Sequence, residues 1–166
     1  MKTITLLVMF VAICIYGTSC IGTGVISQTS GLSQAELAAI PKGSKEVIIK
    51  GTDRAILYDK IIEVLLQRGH RIVKDDKERF YILTEGKDVG QSTNQRMTIV
   101  ISPDGEANIK SEWMPGQEAT MGATAMSGLN ITPSWSVADY TTGRPAIAFA
   151  EAVAIGKAVG GELSFK

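Results

Sequence analysis

The stretch from Gln95 to Trp113 constrains the fold of this chain more than any other segment. Each of its two halves alternates between apolar or small side chains and polar ones, with the period of two that is typical of a half-buried strand. Between the halves lies Ser102-Pro103-Asp104-Gly105, where proline presets φ and glycine accepts a positive φ. The pattern therefore predicts an antiparallel sheet with one face toward solvent. The side chains expected on one face of these strands are Met97, Ile99, Ile101, Ala107, Ile109, Ser111 and Trp113.

A helix is predicted from Asp53 to Arg68, because apolar side chains recur there at helical spacing. Thr52 is the candidate N-cap, Asp53 favours the positive start of the helix, and Gly69 is the candidate C′ residue. The apolar face consists of Leu57, Tyr58, Ile61, Ile62, Leu65 and Leu66.

The remaining segments complete an α+β order of strand, helix, strands, helix. A second helix is predicted over the alanine-rich stretch 146–159, which follows Pro145 and ends at Gly160-Gly161. Two helices of this kind pack most economically on one face of a sheet. We therefore expect a two-layer sandwich whose antiparallel sheet has four to six strands and carries two helices on one face. Further strands are predicted at 47–50, 71–74, 80–84 and, interrupted by Pro133, 131–137.

The N-terminus has the pattern of an export signal. Met1-Lys2-Thr3 is a short positive region, and the apolar run Ile4–Tyr16 is shorter than the about 20 residues that a membrane-spanning helix needs. Thr18 and Ser19 are small residues that precede Cys20. This arrangement resembles a bacterial lipoprotein signal, although glycine occupies position 17 where such signals usually have a branched apolar residue. The resemblance implies that Cys20 is acylated and anchors the chain; the alternative is an ordinary signal peptide, cleaved to leave a free thiol.

Cysteine usage favours the acylated form. Cys14 lies inside the apolar run and would be removed with it, which leaves Cys20 without a partner for a disulfide. Ile21 follows Cys20, whereas an aspartate there marks inner-membrane retention in lipoproteins of the best-known type. The resemblance therefore implies the outer membrane, with the protein facing either the periplasm or the surface.

The charge balance of the chain excludes two kinds of interaction. Lys and Arg number 17 and Asp and Glu also number 17, so no basic excess is present to attract a nucleic acid or to anchor the chain by charge.

We expect a signal peptide at 1–19, a lipidated cysteine with a flexible tether and a short helix at 20–44, and a single α+β domain at 45–166. The short helix is predicted from the capping-box spacing of Ser33 and Glu36.

The sequence lacks the motifs that usually accompany catalysis, which predicts a non-catalytic protein without cofactor or metal. His70 follows the predicted helix end at Gly69, where a loop histidine is favoured over a general base. Lys77 and Arg79 interrupt the acidic turn around Asp75 and Asp76, which favours a solvated turn over a calcium site. A hydrolase that uses carboxylates such as Asp53 and Glu112 is a further hypothesis, and it requires both in one cleft.

The segment between two tryptophans is the candidate partner surface. It is rich in methionine, alanine and glycine, a composition that suits an adaptable apolar surface. The alternative is a mobile loop with both tryptophans buried in the sheet. The candidate partner-binding residues are Trp113, Met121, Met126 and Trp135.

Several runs between Ile40 and Lys166 resemble a group of small bacterial outer-membrane lipoproteins: Ile40-Pro41-Lys42-Gly43, Leu65 to His70, Glu112-Trp113, and Gly143 to Phe149. The element order is similar to that of the lipoprotein C subunit of the β-barrel assembly machine. The resemblance implies no particular functional residue. Together with the signal it leads us to expect a lipoprotein whose domain binds a protein partner in the envelope. The alternative is a protein that binds a small apolar or envelope-derived ligand between sheet and helices.

Overall fold

The computed structural model describes residues 22–51 and 53–166, so the predicted signal peptide and Cys20 lie outside the described residues. The described part is α+β and contains five helices and eight strands. The helices are α1 (Thr23–Ser30), α2 (Gln34–Ala38), α3 (Arg54–Gln67), α4 (Gln117–Ser127) and α5 (Gly143–Val159). The strands are β1 (Glu46–Lys50), β2 (Ile72–Asp76), β3 (Tyr81–Thr84), β4 (Lys87–Asp88), β5 (Thr93–Ile101), β6 (Glu106–Pro115), β7 (Ser136–Val137) and β8 (Glu162–Phe165).

All eight strands belong to one antiparallel sheet, in the order β2-β3-β5-β6-β1-β8, with β4 paired to β5 and β7 paired to β6. The antiparallel α+β prediction is confirmed, but the prediction of four to six strands is wrong. The two additional strands are β4, which has two residues, and β8, which has four, and the strand predicted at 131–137 is present only as the two-residue β7. Pairing with a longer neighbour defines these strands, and sequence periodicity does not reveal it.

The central hairpin forms as its alternation predicts. Strands β5 and β6 pair over their whole length, with Ile99 opposite Ile109, and Gly105 takes the positive φ of 82° in the turn between them. Met97, Ile99 and Ile109 are fully buried on the helix-facing side. The opposite side of the same strands carries polar residues such as Thr98 and Lys110.

Helix α5 lies at the centre of the core. It contacts β6, β5 and β1 as well as helices α1 and α3, which explains why every residue from Ala146 to Gly156 is buried. Gln95 fixes the helix to the sheet, since its Nε2 donates to the carbonyl of Ala148 at 2.6 Å. A Cβ on Gly156 would come within 3.1 Å of Leu163, so glycine permits the close approach of helix and sheet.

Helix α3 forms where it was predicted, but its N-cap and part of its buried face differ: Leu66, predicted on the apolar face, is 56% exposed, and Val64 is buried. The carboxylate of Asp53 accepts hydrogen bonds from the backbone N–H groups of Ala55 and Ile56, so Asp53 is the N-cap instead of Thr52. The buried face of α3 joins the same core as α5, and Gly69 follows the helix with a positive φ of 77°. The capping box of α2, with Ser33 and Glu36, is also present.

The structure differs from the flexible tether predicted before α2. Residues Thr23–Ser30 form a helix that packs against α5, and Ile26 is only 3% exposed. Gly31 ends this helix in the left-handed conformation, and Leu32 is buried directly after it. A helix of eight residues with one deeply buried apolar side chain shows no periodicity in sequence, because its stability comes from packing against the domain.

Candidate functional site

The Met-rich segment forms a helix, which the sequence pattern did not predict. Helix α4 begins after Gly116, whose N–H donates to the carbonyl of Ser92 at 2.7 Å, and ends at Gly128 with a positive φ of 68°. Glu118 lies in the first turn, where a carboxylate favours the positive end of a helix, and it accepts a hydrogen bond from the Ser92 hydroxyl. Glycine and threonine within the segment hid these helix signals in the sequence.

No described residue of α4 is buried. Met121 is 62% exposed and Met126 is 92% exposed, and two further exposed apolar side chains, Leu129 and Ile131, follow the helix in sequence. Glu118 is the one charged side chain within the helix. We name this exposed apolar surface, formed by Met121, Met126, Leu129 and Ile131, the α4 surface.

The two candidate tryptophans lie on opposite faces of the sheet. Trp113 is opposite Gln95 in the β5–β6 register and packs against the core on the helix-facing side. Trp135 lies on the other side, where the guanidinium carbon of Arg96 is 4.6 Å from the centre of its ring. A Cβ on Gly86 would come within 3.0 Å of the same ring. The four candidate residues therefore do not form one surface: the methionines share α4, and each tryptophan packs elsewhere.

A buried ionic cluster lies at the C-terminal end of α3. The sequence did not predict it. Glu151 projects from α5, and its two carboxylate oxygens accept hydrogen bonds from Arg68 at 2.6 and 3.0 Å. His70 Nε2 is 3.2 Å from the same carboxylate, and Lys87 Nζ is 4.0 Å away. Lys87 also donates to the carbonyl of Arg68, and Arg68 donates to the carbonyl of Ser30. The cluster thus joins α1, α3, β4 and α5.

The environment of Glu151 keeps it ionised. Burial would raise the pKa of this carboxyl, but hydrogen bonds from His70 and Arg68, together with their charges, lower the pKa to about 2. A general base works best with a pKa near the operating pH. Glu151 is therefore suited to holding the surrounding elements together and poorly suited to proton transfer.

His70 occupies the loop position predicted after α3, but the residue is only 1% exposed and its ring contacts Glu151. Its Nδ1 is buried without a hydrogen-bond partner among the described residues. The available signal for this cluster was Glu151 itself, the one acidic residue in the apolar stretch 146–159. A buried acid of this kind requires a cation nearby, although sequence does not tell which one.

The other carboxylates singled out in the sequence do not converge. Asp53 caps α3 and lines a groove beside Gly160, whereas Glu112 pairs with Arg96 at 2.6 Å and lines a different groove. Asp75 and Asp76 belong to strand β2 instead of the predicted turn, and Asp76 accepts a hydrogen bond from the Arg79 backbone. Within 22–51 and 53–166, no group of three or more His, Cys, Asp or Glu residues is placed to hold a metal ion.

The membrane-related predictions concern the N-terminus, and Cys20 lies outside the described residues. None of the helices that the structure describes is long and apolar enough to cross a membrane.

No protein-family model matches this sequence, and a search of curated proteins finds no match either.

Proposed function

We propose that this chain is a non-catalytic lipoprotein of the outer membrane, anchored by acyl groups on Cys20, whose domain binds a protein partner in the cell envelope. In this proposal the sheet and the packed helices form a two-layer sandwich that serves as a rigid support. Helix α4 stands outside that packing and provides the partner-binding α4 surface.

The observation that carries the proposal is the exposure of α4. A helix of 11 residues in which only Ala119, Thr120 and Thr124 are partly buried gains little packing energy from its own domain, and isolated helices of this length are marginal in water. Met121 and Met126 nevertheless face solvent from it. Methionine side chains are flexible and polarizable and are frequent at adaptable binding surfaces. A protein partner that covers these side chains would supply the missing packing.

The low charge of α4 favours a protein over a polyanion. Glu118 is its one charged residue, so the surface offers no cation to a nucleic acid or to an anionic headgroup.

The packed interior argues against the alternative of a ligand between sheet and helices. Met97, Ile99 and Phe149 fill that space and are fully buried.

In-cell crosslinking followed by mass spectrometry tests the partner. The tagged full chain is crosslinked in cells, solubilised from membranes and purified, and we expect one envelope protein to co-purify in stoichiometric amount. The double substitution Met121→Ser and Met126→Ser should abolish that product, because it removes both exposed methionines without altering the core. A crosslinked partner that persists in this variant would show that α4 is not the interface.

The matched control places serine at exposed apolar positions of α3. Ile56 and Leu66 are exposed to a degree similar to Met121, so Ile56→Ser with Leu66→Ser also removes two exposed apolar side chains, but from a different helix. This control should retain the partner.

Anchoring is tested separately: Cys20→Ser should block palmitate labelling and release the protein from membranes, and unchanged labelling would refute acylation at Cys20.

A further inference from the structure

An apolar groove lies beside the first residue that the structure describes. Its volume is about 460 Å³, within the range of about 300–1,000 Å³ typical of small-molecule sites. Gly22 and Thr23 form part of its exposed rim. The buried side chains that line it are Ile26, Leu37, Ile40 and Tyr140.

The buried hydroxyl in the lining of this groove is already hydrogen-bonded within the protein. The hydroxyl of Tyr140 donates to the carbonyl of Leu37 at 2.8 Å, so the ring presents its apolar part to the groove. Burial also raises the pKa of Tyr140, which keeps the hydroxyl neutral. Lys42 is the one charged residue among those that line the groove. The lining thus suits a hydrocarbon chain with an anionic surface nearby.

Cys20 is held close to this groove by its short connection to Gly22 along the chain. Cys20 precedes Gly22 by two residues, which span at most about 7 Å. Helix α1 begins at Thr23 and is packed into the domain, so no long linker separates the cysteine from the groove. An acyl group attached to Cys20 therefore starts within reach of the rim.

We propose that the groove between α1, α2 and Tyr140 binds one of the acyl chains carried by Cys20, an inference that rests on the acylation proposed above. One chain then lies against Ile26 and Leu37 while the others remain in the bilayer. Since each buried methylene contributes about 0.8 kcal/mol, withdrawal of one chain weakens membrane attachment and orients the domain with α1 toward the membrane. Lys42 at the rim then faces the lipid headgroups.

Photocrosslinking of the full chain tests the occupant. Cells that produce the protein are grown with a palmitate analogue carrying a diazirine and an alkyne, irradiated, and the purified protein is mapped by mass spectrometry. We expect a crosslink that joins the peptide containing Cys20 to peptides containing Leu37 or Tyr140. Label on Cys20 without such a crosslink overturns the groove proposal and leaves acylation intact. Absence of label from Cys20 overturns both proposals.

A second outcome separates the protein's own acyl chain from a bilayer lipid. Labelled phospholipid attached to the groove peptides, and retained in Cys20→Ser, would show that the occupant comes from the membrane and would overturn the assignment to Cys20. Under the proposal this adduct is absent and the crosslink depends on Cys20.

A pair of tryptophan substitutions on α2 provides the matched comparison. Ala38 is exposed at the rim, so Ala38→Trp fills the groove without removing any core side chain. We expect the crosslink to fall about tenfold, the change expected when roughly two methylenes lose their burial. Ala35 is exposed on the same helix and does not line the groove, so Ala35→Trp should leave the crosslink unchanged. Equal crosslinking in both variants would contradict the proposal.

Discussion

Arg68 and Glu151 form a bidentate ion pair between residues that are 83 positions apart in the sequence. Nη2 of Arg68 donates to Oε2 of Glu151 at 2.6 Å, and Nε donates to Oε1 at 3.0 Å. Because Arg68 also donates to the carbonyl of Ser30, the pair connects the ends of α1 and α3 to the middle of α5. It is therefore a central tie among the packed helices.

Removal of the Glu151 charge should destabilise the fold. Glu151→Gln keeps the size of the side chain but leaves the partly buried Arg68 guanidinium and the buried His70 ring without their carboxylate. Breaking a buried pair in this way costs about 3 kcal/mol. Urea unfolding should show a lower midpoint with an unchanged slope.

The control for that substitution is Glu85→Gln. Glu85 pairs with Arg71 at 3.2 Å, but both side chains are exposed. Surface pairs of this kind contribute about 0–1 kcal/mol, so the midpoint should hardly move. Equal effects of the two substitutions would refute the central role of Glu151.

The stabilisation from Glu151 should disappear in acid. The pKa of this carboxyl is about 2 in the folded protein, below its ordinary value of 4.5, so the unfolded chain takes up the proton at higher pH. The contribution is complete above about pH 4.5 and is lost as the pH falls toward 2. The difference in unfolding free energy between the protein and Glu151→Gln should therefore shrink as the pH falls below about 4.5.

Comparison with the substituted protein isolates this residue from other acids. Hydrogen bonds from Lys157 and Ser33 also lower the pKa of Glu36 to about 2, and Glu36 is present in both proteins. Its contribution cancels in the difference. A difference that stays constant from pH 6 to pH 3 would contradict the lowered pKa of Glu151.

What sequence predicted well was governed by periodicity and local chemistry. The β5–β6 hairpin, helix α3 and the α2 capping box all followed from alternation, helical spacing or cap residues. Glu151 and its partners could not be predicted, because Arg68, His70 and Lys87 come close to it only through the tertiary fold. The sequence showed an unusual acid in an apolar helix and gave no information on its partner.

The segments that were predicted wrongly lack a local signal. Helix α1 is stabilised by contact with α5, and β4 is defined by its pairing with β5. Helix α4 has good helix formers, but without a buried face it has no apolar periodicity. Trp113 and Trp135 bracket this helix in sequence, yet they pack on opposite faces of the sheet because their positions on β6 and beside β7 point in opposite directions.

Packing of α1 into the domain predicts a measurable stability effect. Ile26→Ala removes a deeply buried side chain and should lower the unfolding free energy by about 2–4 kcal/mol. Gln28 is exposed on the same helix, so Gln28→Ala should change it little. Chemical denaturation of the two variants decides the matter: if Ile26→Ala is also neutral, residues 23–30 behave as the tether that the sequence predicted.

Replacing a glycine of helix α4 with alanine should stabilise the helix at its middle and destabilise it at its C-terminal end. A Cβ on Gly122 would meet no atom within 4 Å, so Gly122→Ala adds helix propensity without a clash and stabilises α4 by about 1 kcal/mol. Gly128 has a positive φ of 68° at the C-cap, and alanine is strained there. Hydrogen exchange of the α4 amides should slow roughly fivefold in Gly122→Ala and accelerate in Gly128→Ala.

Because a preformed helix loses less entropy on binding, Gly122→Ala should also increase the yield of the crosslinked partner. Slower exchange without more partner would separate the folding of α4 from its proposed role as the interface.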